Sequence, residues 1–157
     1  MKSENDRFLQ YIEEQTKVEF TAKLNINIIK KDILLLAERF GVVVSKKDLR
    51  LEILDKLLAS GVTYLDIYNE FKDRAYGIHP SRFSNKFKVN NYQRKKMIET
   101  NFIEVAYYKN EKIYPGRYEK VPFFNPEWYF NTTIDDIEIW RADNIKGYNN
   151  KQLKMEL

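Results

Sequence analysis

The 157-residue sequence contains no cysteine and only one histidine, His79. Without cysteine the chain cannot form disulfides, a thiol nucleophile or a zinc ribbon. A metal site would have to be built from carboxylates, and none are clustered at ligand spacing, so we predict no metal and no cofactor. His79 directly precedes Pro80 at the start of a predicted helix, a position more typical of a capping residue than of a general base.

Long hydrophobic runs are also absent. The longest apolar clusters, 33–37 and 41–44, fall far short of the roughly 18 residues that a membrane span needs. Residues 1–20 are mixed in charge and lack the apolar region of a signal peptide. We therefore expect no membrane association and a location in the cytoplasm of a bacterial host cell. Abundant Asn, Lys, Ile and Tyr favour an AT-rich genome, such as that of a low-GC bacterium or its phage.

Positive charge is present and is concentrated in one place. The net charge is only +4, but residues 74–98 hold seven Lys or Arg and no Asp or Glu. The rest of the chain therefore sums to −3. A local, acid-free basic segment is what a phosphate-binding surface needs, although most charge runs are simply solvated.

Hydrophobic spacing and capping signals predict an α+β fold with a helical N-terminal half that contains one strand. The Ser3–Asp6 pair predicts a helix over 4–16. Alternation of apolar and polar residues predicts a strand over 18–26. Three capped helices should follow, over 28–40 with Asn27 as cap, over 45–60 with the capping signature Ser45–Asp48, and over 63–75 with Thr63–Asp66.

The C-terminal half is predicted as a helix–turn–helix followed by a small antiparallel sheet. Pro80 begins the first helix, residues 88–91 form the turn, and the second helix covers 92–100. Residues 103–114 are expected to form a hairpin turning at 109–110, with a further strand over 117–124. Residues 134–140 fit either a helix or a strand, and the polar tail after 143 is expected to be loose. The predicted domains are 1–76 and 77–157.

Residues 28–61 resemble the helix–extension–helix unit of the SAP and Rho-N-terminal type. The match consists of the helix segment Lys30–Gly41, an extended link over 42–44 and a second Leu-rich helix over 46–59. Such units commonly bind DNA or RNA through the link and the start of the second helix. The resemblance implies contacts from Lys46, Lys47 and Arg50. The same pattern is typical of a packing unit whose lysines are solvated, and similar units also serve as adaptor modules without nucleic-acid contact.

Residues 79–124 resemble the helix–turn–helix plus hairpin of phage and mobile-element proteins related to winged-helix and excisionase folds. The turn departs from the usual pattern because it has no glycine. In that geometry the second helix enters the major groove, with Gln93 suited to adenine and Arg94 to guanine. The remaining basic residues would neutralise phosphates: Arg82, Lys86, Lys88, Lys95 and Lys96. Lys109, Lys112 and Arg117 would lie on the wing.

No catalytic constellation is evident, so the first hypothesis is a non-enzymatic, nucleic-acid-binding protein of a phage or mobile element, with DNA as the expected ligand. The alternative is a phage-encoded inhibitor of a host defence protein or nucleoprotein complex, of the anti-CRISPR type. It is suggested by ten aromatic residues between 107 and 140, which could form either a core or a binding face. The contact residues would be Phe124, Trp128, Tyr129, Asp135, Asp136, Glu138 and Trp140. The sequence leaves the oligomeric state open.

Overall fold

The computed structural model describes residues 4–147, which form eight helices and one two-stranded antiparallel sheet. The predicted α+β class is confirmed. The chain divides into two compact units, Met1–Gly77 and Ile78–Leu157. None of the helices in the described part of the chain is long and apolar enough to cross a membrane.

The first unit contains the four helices α1 (Glu4–Thr21), α2 (Lys30–Arg39), α3 (Arg50–Ala59) and α4 (Tyr64–Phe71). Helix α1 packs against α3 and α4, and α2 packs against α3. Apolar residues at helical spacing meet in one core because each helix buries a single stripe. The central buried side chains are Phe8, Ile12, Phe20, Ile33, Leu36, Ile53, Leu57, Ile67, Tyr68 and Phe71.

The predicted strand over 18–26 is wrong. Helix α1 continues to Thr21, and residues 4–77 contain no strand. Val18 and Leu24, which the alternation placed on a buried face, are 55% and 81% exposed. The true period is helical, since α1 buries a side chain at every fourth position: Phe8, Ile12, Thr16 and Phe20. The Ser3 part of the predicted start signal lies outside the described residues.

The Val18→Ala substitution distinguishes these two assignments by the sign of its effect. In an exposed helical position alanine should raise the free energy of unfolding by about 0.5 kcal/mol, because it has the higher helix propensity. In a half-buried strand the same change would lower stability. Urea unfolding followed by circular dichroism measures the difference, and a destabilised variant would contradict the helix.

Two predicted helix starts in this unit also need correction. Asn27 does not cap α2; its backbone N–H and its side chain both donate to the buried Glu19 carboxylate, at 3.2 and 2.6 Å. Helix α3 begins at Arg50 rather than at Ser45. Ser45 and Asp48 instead form a preceding turn, and the hydrogen bond from Lys56 holds the pKa of Asp48 below its usual value.

The Thr63–Asp66 capping box is confirmed at the start of α4. The Asp66 N–H donates to Thr63 Oγ1 at 3.1 Å, and the Thr63 N–H donates to Asp66 Oδ2 at 2.9 Å. These hydrogen bonds lower the pKa of Asp66. The helix ends at Phe71, four residues before the predicted end.

A contact between the two ends of the first unit completes its core. The Tyr11 hydroxyl donates to the Tyr76 carbonyl, and the Tyr76 and Thr16 hydroxyls share a hydrogen bond, both at 2.7 Å. Burial raises the pKa of the Tyr76 phenol. Tyr76 has φ +70°, a conformation that costs free energy in a bulky residue. We attribute its retention to these two hydrogen bonds.

The second unit contains the remaining four helices and the sheet. They are α5 (Pro80–Phe87), α6 (Asn91–Glu99), β1 (Val105–Tyr114), β2 (Arg117–Phe124), α7 (Pro126–Asn131) and α8 (Ile134–Asn144). Aromatic rings form much of the core. Phe83 contacts Phe124 edge to face, and its ring lies 5.1 Å from Phe87 and 5.7 Å from Trp128. Of the ten aromatic residues between 107 and 140, four are buried in this core, namely Phe124, Tyr129, Phe130 and Trp140, and three on the hairpin are exposed.

The predicted hairpin over 103–114 is wrong in its turn position. Lys109 and Asn110 lie inside the single long strand β1, and the chain reverses at Pro115–Gly116 instead. Gly116 has φ +85°, which a glycine adopts without strain. The segment predicted as a further strand, 117–124, is the second strand of this hairpin.

The ambiguous segment 134–140 is helical. Thr133 and Asp136 form a capping box at the start of α8, and the Asp136 N–H donates to Thr133 Oγ1 at 3.1 Å. Helix α7, which was not predicted, starts at Pro126 with Asn125 as its cap. Residues 148–157, most of the predicted loose tail, lie outside the described residues.

Candidate nucleic-acid interface

Helices α5 and α6 are joined by a short turn with well-defined caps. His79 caps α5 by accepting a hydrogen bond from the Ser81 N–H at 3.1 Å. Lys88 ends α5 in the left-handed conformation, at φ +53° and ψ +48°. Asn90 then caps α6 by accepting from the Gln93 N–H at 2.8 Å. The two predicted helices and the short turn between them are present, and the turn, which has no glycine, places Lys88 in the left-handed conformation.

The second unit carries the protein's excess positive charge. It has fourteen Lys or Arg and ten Asp or Glu, so its net charge is +4, whereas the first unit is neutral with thirteen of each. Residues 78–98 alone have six basic side chains and no acidic one. The seventh basic residue of the predicted segment, Arg74, belongs to the first unit, where it pairs with Asp32 at 2.9 Å.

The two predicted base-reading residues are engaged inside the fold. Gln93 accepts a hydrogen bond from the Arg141 Nε at 3.2 Å. Arg94 Nη1 donates to Ser84 Oγ on α5 at 2.6 Å. Burial lowers the pKa of the Arg94 guanidinium. Both side chains are half-buried, so direct base contact would have to compete with these bonds.

Lys88 and Lys95 are the most available cations of this segment. Both are exposed, and neither side chain has a hydrogen-bond or ion-pair partner within residues 4–147. Lys96 is half-buried, and its ammonium donates to the Asn144 carbonyl at 2.8 Å. The N-terminus of α6 has no acidic residue in its first turn, so the helix dipole adds to the positive potential there.

Arg82 and Lys86 lie on the exposed side of α5, above two rings of α7. The Lys86 ammonium is 4.4 Å from the centroid of the Tyr129 ring, and the Arg82 guanidinium is 5.7 Å from it. Both also approach the Phe130 ring at 5.8 Å. Cation–π contacts at partly exposed sites stabilise by about 0.5–1 kcal/mol, and both residues remain exposed to solvent.

The basic residues predicted from the helix–extension–helix resemblance lie in the first unit. Lys46 and Lys47 are exposed. Arg50 instead donates to the carbonyls of Glu19 and Ala22 at the end of α1, the first at 2.6 Å. Two of the three residues are therefore available at the surface, and the third stabilises the C-terminus of a helix.

The residues predicted for protein contact are mostly in the core or paired. Phe124, Tyr129 and Trp140 are buried, and Trp128 is half-buried. The acidic members all lie on α8: Asp136 accepts from the Thr133 N–H in the capping box at 2.9 Å, Glu138 pairs with Arg141 at 2.8 Å, and Asp135 is exposed. The described residues include no group of three side chains that could hold a metal ion.

Arg141 is the residue of this region that sequence reasoning missed. Its side chain is only 9% exposed, and its Nη2 donates to the carbonyls of Lys88 at 2.7 Å and Phe87 at 3.3 Å. It thus satisfies backbone groups at the end of α5, which a helix terminus leaves without partners. Apart from the Glu138 carboxylate three residues before it, the groups that it bonds to, Gln93, Lys88 and Phe87, lie 48 to 54 residues earlier in the chain, so no local signal marks these bonds.

The Lys88→Gly variant is expected to be more stable than the wild type, although it loses a positive charge. Glycine removes the cost of about 1–2 kcal/mol of the left-handed conformation, so we expect a gain of about 1 kcal/mol in the free energy of unfolding. A Lys88→Asn variant should gain less. Denaturant unfolding measures both, and a destabilised glycine variant would contradict the left-handed assignment.

No family model matches the chain, and no curated protein or solved structure matches it either.

Proposed function

We propose that the protein binds nucleic acid, with α5, α6 and their turn as the contact surface, and that it is not an enzyme. The observation that carries this proposal is the acid-free set of six basic residues in 78–98. Four of these six residues are exposed: Arg82, Lys86, Lys88 and Lys95. DNA is the expected ligand because a helix after a short turn suits the major groove. A phage or mobile-element source is proposed on composition alone.

Contact with the phosphate backbone of the nucleic acid is better supported than recognition of its base sequence. Phosphate contacts need only exposed cations and free N–H groups, and they set position without reading bases. The two side chains best suited to bases, Gln93 and Arg94, already have internal partners. If binding broke those internal hydrogen bonds, their loss would offset part of the free energy gained from contacts to specific bases. We therefore propose affinity of modest sequence dependence.

The salt dependence of binding tests the proposal. Four phosphate contacts give a slope of log K against log salt near −3.6 for duplex DNA, because each contact contributes about −0.9. Affinity should thus fall about 150-fold between 50 and 200 mM salt. Fluorescence anisotropy with a labelled 20-base-pair duplex measures the slope. Absence of binding at low salt to duplex DNA, single-stranded DNA and RNA would overturn the proposal.

A matched pair of double variants locates the surface. Lys88→Glu with Lys95→Glu should abolish measurable duplex binding at 100 mM salt. Lys23→Glu with Lys31→Glu makes the same charge change at exposed residues of the first unit and should lose far less affinity. Equal losses in the two double variants would show that net charge, and not this surface, governs binding.

The inhibitor alternative is less well supported, because three of its seven contact residues are buried in the core of the second unit. A pull-down from bacterial lysate, with and without nuclease, separates the two functions. Partners captured only without nuclease agree with nucleic-acid binding, whereas a stoichiometric protein partner that survives nuclease would favour the inhibitor.

A further inference from the structure

The β1–β2 hairpin has two faces of different character. Residues that pair across an antiparallel ladder point to the same side, and successive residues point to opposite sides. The pairs Tyr107–Phe123, Lys109–Val121 and Glu111–Glu119 therefore share one face, here called the inner face. The other face, the outer face, carries the pairs Tyr108–Pro122, Asn110–Lys120 and Lys112–Tyr118.

The inner face is occupied by contacts within the unit. The Tyr107 and Phe123 rings stack at 5.3 Å, and His79 meets Phe123 edge to face. The Lys109 ammonium lies 5.6 Å from the Phe123 ring, and His79 Nε2 lies 3.0 Å from a Glu111 carboxylate oxygen. Both carboxylates of the paired strand segments, Glu111 and Glu119, are on this face.

The outer face has no such contacts. Tyr108 is 55% and Tyr118 62% exposed, and Lys112 and Lys120 are exposed beside them. Within residues 4–147 none of these four side chains has a hydrogen bond, ion pair or ring contact. No acidic residue lies on this face of the paired segments. Two unpartnered aromatic rings and two unpartnered cations thus share one side of the hairpin.

We propose that the outer face binds single-stranded nucleic acid, with unpaired bases stacked on Tyr108 and Tyr118 and phosphates neutralised by Lys112 and Lys120. Alternating aromatic and basic side chains are the combination that single-strand binding uses, because every base has a π-face and every nucleotide carries an anionic phosphate. This inference extends the proposed function to a second, chemically distinct surface.

The spacing of the four residues fits this ligand. Lys112 and Tyr118 are directly opposite, with Cβ atoms about 5 Å apart in such a pair, so one ring has a cation beside it. Tyr108 lies four residues before Lys112 on the same strand, about 13 Å along it. The two rings therefore present separate stacking positions, with Lys120 on the rung between them. A duplex, whose bases are stacked internally, could not use both rings.

Charge complementarity is what selects nucleic acid over other occupants of an exposed sheet face. A hydrophobic protein partner would be expected to cover apolar side chains, whereas two of the four unpartnered side chains on the outer face are lysines. Because the acidic residues lie on the inner face, the charged residues of the outer face, Lys112 and Lys120, are both positive. A polyanion with flat apolar groups satisfies both parts of this surface.

Anisotropy with labelled 12-nucleotide dT and U oligonucleotides, alongside the 20-base-pair duplex, tests the proposal on the full chain. Tyr108→Thr with Tyr118→Thr keeps β-forming residues in the strands and should weaken single-strand binding at least 10-fold. Tyr108→Phe with Tyr118→Phe keeps both rings and should bind within 2-fold of the wild type. Duplex binding should be unchanged in both variants.

Changing Lys112 and Lys120 to Gln gives a second readout that a purely structural role would not move. The slope of log K against log salt for the single strand should become shallower by about 1.4, because each lost phosphate contact removes about 0.7. The two oligonucleotides show whether deoxyribose or ribose is preferred.

The outcomes separate this inference from the proposed function. Unchanged single-strand affinity in the threonine variant, or no single-strand binding by the wild type, overturns the inference while duplex binding can still stand. Loss of affinity in the phenylalanine variant overturns the stacking role. Salt-dependent single-strand binding with no duplex binding would overturn the α5–α6 surface and leave the hairpin proposal intact. Absence of all binding overturns both.

Discussion

Arg141→Ala is expected to lower the free energy of unfolding of the second unit by about 3 kcal/mol. The substitution removes a nearly buried cation and leaves two carbonyls of the α5 terminus, those of Phe87 and Lys88, without their donor. Unsatisfied buried polar groups cost about 1–3 kcal/mol each, and breaking a buried ion pair from one side costs about 3–5 kcal/mol. We expect a loss at the lower end of the ion-pair range because the Glu138 side chain remains 31% exposed.

Tryptophan fluorescence in a denaturant titration measures this loss cleanly. Both tryptophans, Trp128 and Trp140, lie in the second unit, so the signal reports on that unit. Glu138→Gln removes the carboxylate charge but leaves the carbonyl bonds and should cost about 1 kcal/mol or less. Arg141→Lys keeps the positive charge but not the planar guanidinium, so its loss of unfolding free energy should lie between those of the Arg141→Ala and Glu138→Gln variants. An alanine variant as stable as the wild type would contradict the bonding described.

Phe83→Ala is expected to cost about 4 kcal/mol, within the range for deleting a fully buried phenylalanine. Phe83 is 0% exposed and lies at the centre of the second unit's aromatic core, against Phe87, Phe124 and Trp128. Alanine leaves a cavity and removes three ring contacts, each worth about 0.5–1.5 kcal/mol beyond its area.

Two controls accompany the Phe83 measurement. Phe83→Leu keeps most of the volume and should cost about 1.5 kcal/mol. Tyr92→Ala removes an aromatic ring that is 66% exposed on α6 and should change stability by less than about 0.5 kcal/mol. Equal losses of stability in the Tyr92 and Phe83 alanine variants would contradict the placement of Phe83 at the centre of this core.

Local signals in the sequence were sufficient for part of the fold. The Thr63–Asp66 capping box and the first-turn Pro80 were both predicted and are confirmed. Each depends on residues within four positions of one another, which a single sequence shows directly. The helix start predicted at Ser45 failed because its capping residues closed a separate turn before α3.

The false strand over 18–26 has a different cause. Over a few positions, the same apolar residues can fit both the two-residue period of a strand and the four-residue spacing of one helix face. The deciding contacts are tertiary, since Phe20 is buried among helices that lie further along the chain. The hairpin turn was misplaced for a similar reason: Lys109–Asn110 and Pro115–Gly116 are both acceptable turns, and only cross-strand pairing chooses between them.

The sequence predicted which basic residues belong to the candidate site, but not which groups they bond to in the folded unit. The basic residues of 78–98 are where the sequence placed them, on two helices and a turn. Which of them are available could not be read from the sequence. Gln93 meets Arg141 across 48 residues, and Lys96 meets Asn144 across the same separation. The division between structural and available side chains is therefore a property of the folded unit.

The long-range bonds of Tyr76 and Arg141 also set the order in which the two units can be completed during synthesis. The first unit is closed by bonds from Tyr76 to residues 60 and 65 positions earlier, and the second by bonds from Arg141 that reach back as far as Phe87. A nascent chain that has passed Tyr76 can close the first unit while the second is still being made. The turn between α5 and α6 gains its last partner only when residue 141 has left the ribosome. The basic surface is thus assembled late, so incomplete chains would not present it in its final form.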